Sequence, residues 1–258
     1  MLIEYDNTIQ IIKSDYTIFS LGGASWSITG SDGIWLNMFN EKNIKTIPFQ
    51  ASNCAYKVNW KDEFILKNEG ATLKNIEVHC NNQSKKGELV ITKFGLEGGA
   101  IYALSPKIRE MINATKQAEV FIDLKPIFSQ EEIEKRIFSS AGNKSLSKHL
   151  QDQFNFSKTE IDFIKHQLFK EDYLNLKTLS KKIKQVPVSV IDLAPIAKAL
   201  STVGGIALSE VNENFELNKL PTNYVIGEML DWDAPTGGYL LQGCFSMGAY
   251  LAEELNKK

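Results

Sequence analysis

Apolar runs and polar breaks alternate over residues 1–50 and predict an α/β segment. Leu2 to Tyr5 and Thr8 to Ile12 have the pattern of a hairpin, and Tyr16 to Ser20 is an apolar run typical of a buried strand. Glycines follow this run, and a helix is expected from about Ile34. A strand, a glycine loop and a helix in that order are typical of α/β proteins.

The pattern changes twice in the middle of the chain. Short β-rich runs predict strands at residues 54–58, 75–80, 88–93 and 119–124, with a polar turn at 81–87 and a helix at about 99–113. Residues 129–185 are rich in Lys, Glu, Gln and Leu, and their spacing predicts amphipathic helices such as Glu160 to Phe169 and Tyr173 to Ile183. From Val186 onward the chain returns to β-rich runs and glycine turns, and it ends in a helix from Gly238 to Leu255.

These changes predict one α/β domain that is split by an insertion. The outer domain takes residues 1–45 and 201–258, and the inserted domain takes residues 46–200. Within the insertion we expect a β subdomain at 46–125 and a helical part at 126–185. The overall class is therefore α/β in the outer domain and α+β for the whole chain.

Composition narrows the class of protein. The chain is 43% hydrophobic and 23% charged with a net charge of −2, which is ordinary for a globular protein and gives no reason to expect nucleic acid or a membrane as partner. Cys54, Cys80 and Cys244 are widely spaced and predict buried free thiols in a cytoplasmic protein. His79, His149 and His166 are expected to be surface or half-buried residues, the last two in the helical part, and their positions show no metal-ligand spacing.

The C-terminal segment has the residue types of a phosphate or flavin site. A strand that ends at Gly227 lets the backbone approach a ligand closely, and Glu228 or Asp231 can accept hydrogen bonds from ribose or ribityl hydroxyls. Gly237 and Gly238 then open a helix whose free N–H groups and positive dipole end suit an anion or an electron-rich ring edge.

Three motifs in this chain resemble one known family. The C-terminal Gly-Glu-Met-Leu-Asp of residues 227–231 is followed by Thr-Gly-Gly-Tyr-Leu-Leu-Gln at 236–242, the run at 16–33 contains Gly-Gly-Ala-Ser-Trp and Gly-Ser-Asp-Gly, and Thr-Val-Gly-Gly-Ile stands at 202–206. In this order they resemble the bacterial FAD-dependent oxidoreductases grouped with aminoacetone oxidase and BaiN. Val203 departs from the small residue usual in the third motif.

The resemblance implies a discontinuous, Rossmann-like FAD-binding domain with an inserted substrate domain. It implies FAD as cofactor and a small-molecule substrate of unidentified structure, which transfers a hydride to flavin N5. No catalytic residue is identified. The family's motifs place cofactor contacts at Gly22, Gly23, Ala24, Ser25, Gly30, Asp32, Gly204, Gly205, Glu228, Asp231, Thr236, Gly237, Gly238, Tyr239 and Gln242, with Trp26 and Phe94 toward the substrate.

Several of these assignments have structural alternatives that the sequence leaves open. Trp26 either lines the ring or anchors its loop, and Gln242 either reaches the flavin edge or lies on the surface. Ser31 or Asp32 is expected to cap the helix near Ile34, and Thr236 is expected to be the N-cap of the terminal helix.

One family feature has no counterpart in this sequence. The Gly-x-Gly-x-x-Gly turn that holds the FAD pyrophosphate is not found, so the chain resembles a family member without its N-terminal nucleotide-binding segment. A fragment, a broken or mis-started reading frame and half of a split protein all remain open as origins. We expect weak or absent FAD binding by this chain alone. The alternatives are a non-catalytic remnant or interaction subunit that pairs with a separate nucleotide-binding half, and a protein that binds FMN.

Overall fold

The computed structural model describes residues 2–6, 8–139 and 144–257. Its contacts divide the chain into two compact units. Unit 1 comprises residues 1–50 and 201–258, and unit 2 comprises residues 51–200. The chain thus leaves unit 1, forms unit 2 as a continuous segment, and returns to unit 1.

The first part of unit 1 is built from short elements. Strands β1 (Leu2–Tyr5) and β2 (Thr8–Ile11) pair in antiparallel register, which confirms the predicted hairpin. Strand β3 (Thr17–Phe19), helix α1 (Leu36–Glu41) and strand β4 (Thr46–Ser52) follow. Strand β3 is shorter and less buried than its apolar sequence predicts.

Unit 2 contains one large sheet. Its strands are β5 (Tyr56–Lys57), β6 (Thr72–Cys80), β7 (Gln83–Ile91), β8 (Gly95–Glu97), β9 (Ala118–Asp123), β10 (Val186–Val190) and β11 (Asp192–Leu193). They lie in the order β10-β9-β6-β7-β8-β5-β11, and neighbouring strands are antiparallel. The predicted polar turn at 81–87 is wrong for five of its seven residues, because Gln83 to Gly87 pair with β6 and only two residues remain in the turn.

Helices pack around this sheet. They are α2 (Asp62–Asn68), α3 (Gly99–Tyr102), α4 (Ser105–Thr115), α5 (Gln130–Ile137), α6 (Leu146–Phe154), α7 (Lys158–Gln167), α8 (Lys170–Leu174) and α9 (Leu176–Lys184). Helices α5 and α7 each begin with a complete capping box, Ser129 with Glu132 and Ser157 with Glu160. The single helix predicted at 99–113 is in fact α3 and α4, because Pro106 stands at the start of a new helix.

The core of unit 2 runs through both its sheet and its helices. Val78 of β6, Ile122 of β9 and Phe163 of α7 are completely buried in one continuous apolar cluster. His149 of α6, expected at or near the surface, is also buried, and its Nε2 lies 3.1 Å from the carbonyl oxygen of Ile137. Cys54 and Cys80 are buried free thiols as predicted, whereas Cys244 in unit 1 is half-buried.

The chain returns to unit 1 with strands β12 (Ser201–Ile206) and β13 (Asn223–Val225) and helix α10 (Tyr239–Leu255). Strand β12 pairs with β4, and β13 pairs in parallel with β3. The core of this unit is small and consists of Trp35, Phe39, Ile44, Ile206, Leu217, Val225, Met229 and Leu230. The run from Tyr16 to Ser20 is not a buried strand, since Ile18 at its centre is 47% exposed.

The mixture of helices with several sheets confirms the α+β class for the whole chain. Within the described ranges, no helix has both the length and the apolar character needed to cross a membrane.

Candidate cofactor site

The loop after β3 is fixed by three hydrogen bonds within unit 1. The N–H of Ala24 donates to Oγ1 of Thr202 at 3.2 Å, and the hydroxyl of Ser31 donates to the carbonyl oxygen of Gly23 at 2.5 Å. The N–H of Leu21 lies 3.0 Å from Sδ of Met229. The loop is therefore held against β12 and against the turn that follows β13.

Gly23 allows this loop to approach two polar side chains. A Cβ atom at position 23 would lie 2.4 Å from Oγ1 of Thr202 and 3.2 Å from Oε2 of Glu228. The backbone N–H of Gly23 also donates to the carboxylate of Glu228. Burial raises the pKa of Glu228, and the hydrogen bond from Gly23 opposes this increase only in part. Gly23, Thr202 and Glu228 thus meet at one point in unit 1.

Asp231 is joined to the predicted glycine pair on β12. Its Oδ1 accepts a hydrogen bond from the N–H of Gly204 at 3.1 Å. A Cβ atom on Gly204 would lie 2.6 Å from the carbonyl oxygen of Pro48, and one on Gly205 would lie 2.3 Å from that of Met229. Packing of the backbone therefore explains why both positions are glycine.

The start of α10 differs from its prediction in one respect. The N-cap is Gly238, at a φ of 88°, and it makes no side-chain cap hydrogen bond. Thr236 is not the N-cap, because Gly237 and Gly238 both take left-handed conformations between it and the first turn. The first N–H groups of the helix consequently have no side-chain cap, and Tyr239 is 63% exposed beside them. Gln242 is exposed and donates from Nε2 to Ser246 at 3.1 Å.

The remaining predicted residues of this loop region lie either on its outer part or at its base. Gly30 ends a short 3-10 turn at a φ of 121°, and no atom lies within 4 Å of where its Cβ would be. Oδ1 of Asp32 accepts from the N–H of Ile34 at 3.0 Å, so Asp32 closes a turn but does not cap α1, whose N-cap is Trp35. Gly22 and Ser25 are half-buried at the base of the loop.

The two aromatic residues predicted to face the substrate have different surroundings. Trp26 is 49% exposed and has a left-handed conformation at a φ of 50°. Phe94 belongs to unit 2, where it is partly buried against the core beside β8. The structure therefore places these two residues in different units.

Thr202 is the residue that sequence reasoning missed. It is buried and accepts the hydrogen bond that fixes Ala24, yet it was recognised only as the first letter of the Thr-Val-Gly-Gly-Ile motif. The available signal was its position two residues before the glycine pair Gly204 and Gly205. A buried hydroxyl there has to find a partner, and the nearest one comes from a segment far away in sequence.

The family comparison rests mainly on unit 2. Residues 50–201 match the model of the family described as HI0933-like protein barrel and H2TH domain. This range covers more than half of the chain and includes all of unit 2, whereas the predicted flavin contacts lie outside it in unit 1. The predicted relation to FAD-dependent oxidoreductases is confirmed at the level of the family. The chain belongs to the HI0933-like family of FAD-dependent oxidoreductases.

Proposed function

We propose that this protein is a flavoprotein oxidoreductase in which unit 1 binds the isoalloxazine and ribityl end of FAD. Within the family we assign it to the group of aminoacetone oxidase and BaiN, on the three motifs of unit 1. The single observation that carries the proposal is the meeting of Gly23, Thr202 and Glu228, which come from three separate segments. When bound, the flavin supplies a hydride acceptor at N5 for a small substrate.

The residues of unit 1 fit this end of the cofactor. Gly23 has no side chain, so the loop can lie directly against Thr202 and Glu228 and bring this carboxylate to the cofactor. At α10 the uncapped N–H groups and the dipole of a 17-residue helix favour negative charge at its N-terminus. The carboxylates of Glu228 and Asp231 supply acceptors for hydroxyl groups.

Each group then has a separate task. Glu228 accepts a hydrogen bond from a ribityl hydroxyl, and Gly23 holds the carboxylate in place through its N–H. The start of α10 stabilises negative charge on the pyrimidine edge of the ring. Asp231 holds the backbone at Gly204, so that β12 keeps its position next to the loop.

A spectroscopic titration tests the proposal. The purified chain is titrated with FAD and, in parallel, with FMN, while flavin fluorescence and the visible absorbance band are recorded. Saturable quenching with at least one of the two flavins supports a flavin site. Binding of FMN as tightly as FAD indicates that unit 1 holds only the ring and ribityl end. A protein that stays colourless and quenches neither flavin overturns the proposal.

Matched variants locate the site. Glu228→Gln keeps the size of the side chain but removes the charged acceptor, and we expect flavin affinity to fall by about tenfold, which corresponds to about 1.4 kcal/mol. Glu253→Gln changes an exposed acid on α10 and should leave affinity unchanged. Equal affinity in both variants would remove Glu228 from the site.

A second function is favoured by the exposed apolar surface of unit 1. On α10 the side chains of Leu241 and Phe245 are 64% and 70% exposed one turn apart, and Ile18 on β3 is also exposed. Among the described residues, β3 pairs only with β13, although parallel strands are normally found in larger, covered sheets. We propose that this surface receives a separate nucleotide-binding half.

Supplying that half tests this second function. A polypeptide with a strand, a Gly-x-Gly-x-x-Gly turn and a helix, taken from an intact family member, is co-expressed with the chain. Co-purification with bound FAD supports the pairing, and the double variant Leu241→Ser with Phe245→Ser should abolish it. If the two polypeptides elute separately and the chain binds FAD equally well alone, the pairing is wrong.

A further inference from the structure

Three side chains with metal-binding atoms meet on strands β6 and β9 of unit 2. Glu77 and Asp123 are direct cross-strand partners, and His79 lies two residues after Glu77 on the same face. One donor atom from each residue lies within 4.8 Å of the donor atoms of the other two. Neighbouring residues such as Val78 and Ile122 point to the opposite face and fill the core.

Hydrogen bonds already orient both carboxylates. Oε1 of Glu77 accepts from the hydroxyl of Ser84 at 2.6 Å, and Oδ1 of Asp123 accepts from the N–H of Lys125 at 2.9 Å. Each of these oxygens keeps a second lone pair, and Oε2 of Glu77 is not used in these contacts. Outer hydrogen bonds of this kind are typical of carboxylates that bind metal ions, because they fix the direction of the ligand.

A lysine competes for one of the ligands. Nζ of Lys184 lies 2.5 Å from Oδ2 of Asp123 and also donates to the carbonyl oxygen of Phe128 at 2.8 Å. The ammonium group therefore supplies part of the positive charge that a bound cation would supply. Removing this charge should strengthen the binding of a cation, whereas a purely structural ion pair gives no such result.

We propose that Glu77, His79 and Asp123 form a binding site for a divalent transition metal, with Zn²⁺ as the best match. Zinc accepts a mixed set of imidazole nitrogen and carboxylate oxygen, whereas calcium and magnesium prefer oxygen ligands alone. Ligand atoms at zinc distances from one ion stand roughly 3.3–3.6 Å apart, so small side-chain rotations suffice to close the site. Water completes the coordination.

Zinc titration of the full-length, chelator-treated protein tests the site. Zinc chloride is titrated in a calorimeter against the wild type, and we expect one ion per chain. Glu77→Gln and His79→Gln should each weaken binding by at least about tenfold, since each removes one of three protein ligands. Glu119→Gln on β9 is the matched control, because this acid is exposed on the same strand outside the cluster, and it should bind zinc like the wild type. Lys184→Met should bind zinc more tightly.

Cobalt gives a readout that does not depend on stability. The visible absorption bands of bound Co²⁺ report its ligands, and they should change in His79→Gln while persisting unchanged in Glu119→Gln. The two ligand substitutions are at half-buried positions, and circular dichroism verifies that these variants fold. The proposal is overturned if the wild type takes up no zinc at millimolar concentration, or if Glu77→Gln and His79→Gln bind it as tightly as the wild type.

Discussion

Units 1 and 2 bury their apolar residues to very different extents. In unit 2 a continuous core joins the central strands to the helices around them, and side chains such as Ile122 and Phe163 are completely buried. In unit 1 the core is a small cluster around Phe39 and Met229, while large apolar side chains on the hairpin, on the loop after β3 and on α10 are exposed. Only Leu251 is buried among the residues of α10.

This difference in burial indicates that unit 2 is more stable by itself than unit 1. A long antiparallel sheet covered by helices satisfies its own hydrogen bonds and buries its own apolar surface, so unit 2 has what an independently stable domain needs. A two-stranded parallel sheet and an apolar helix, as found in unit 1, do not have what an independently stable domain needs. The unit with the family match is thus well buried, and the unit with the flavin motifs is open.

Phenylalanine truncation should give the largest contrast between the units. Phe163→Ala removes a fully buried ring of α7 and should lower the free energy of unfolding by about 3–5 kcal/mol. Phe245→Ala, the matched change on α10, should alter it by less than about 0.5 kcal/mol, because this ring is mostly exposed. Urea unfolding followed by far-ultraviolet circular dichroism measures both. A large cost for Phe245→Ala would show that α10 is covered and that the contrast is wrong.

Hydrogen exchange should show a smaller but more detailed contrast. Strands β6 and β9 each have a neighbouring strand on both sides in the large sheet, and their amides should exchange only when unit 2 unfolds. Amides of β3 and β13 lie in a two-stranded sheet and should exchange faster through local opening. Mass spectrometry of peptides that cover these strands measures the rates. Equal protection in both sheets would mean that unit 1 is as cooperative as unit 2.

Sequence patterns predicted the local elements of both units well. The hairpin at the N-terminus, the helices of residues 129–185 and the long terminal helix follow from apolar spacing and capping residues that lie close together in the chain. The errors have local physical causes as well. Pro106 divides a predicted helix, and Gly237 with Gly238 shifts the helix start away from Thr236.

Sequence patterns do not predict the contacts between segments that are far apart in the chain. The hydrogen bond between Ala24 and Thr202 joins residues that are 178 positions apart, and no local pattern specifies it. Glu77 and Asp123 likewise become neighbours only through the register of β6 with β9. Such pairings depend on strand register, which is set by the packing of the whole sheet. Motif resemblance found Glu228 and the glycines, but not the role of the Thr202 hydroxyl, which accepts the hydrogen bond from Ala24.

The smallest expected effect is that pH changes the stability of the two units in opposite directions. In unit 1 burial raises the pKa of Glu228 above its ordinary value of 4.5, so the folded state holds a proton that the unfolded state has released. This contribution is complete below pH 4.5 and is lost as pH rises through the raised pKa. In unit 2 burial first, and then the charge of Lys61, lower the pKa of His166, which stacks on Phe64. That contribution is present above the ordinary value of 6.5 and is lost as pH falls through the lowered pKa.

Two variants separate these contributions from the other titrating groups. Lowering the pH from neutral toward 4.5 should stabilise the wild type relative to Glu228→Gln, because only the wild type gains a proton at that position on folding. Over the upper part of the same range, the wild type should lose stability relative to His166→Asn, because the unfolded chain takes up the imidazole proton first. Urea midpoints recorded for all three proteins across the pH series give both differences. If the stability of the wild type changed in the same direction relative to both variants, the environments assigned to Glu228 and His166 would be wrong. Burial would then not act on a carboxyl group in unit 1 and on an imidazole in unit 2.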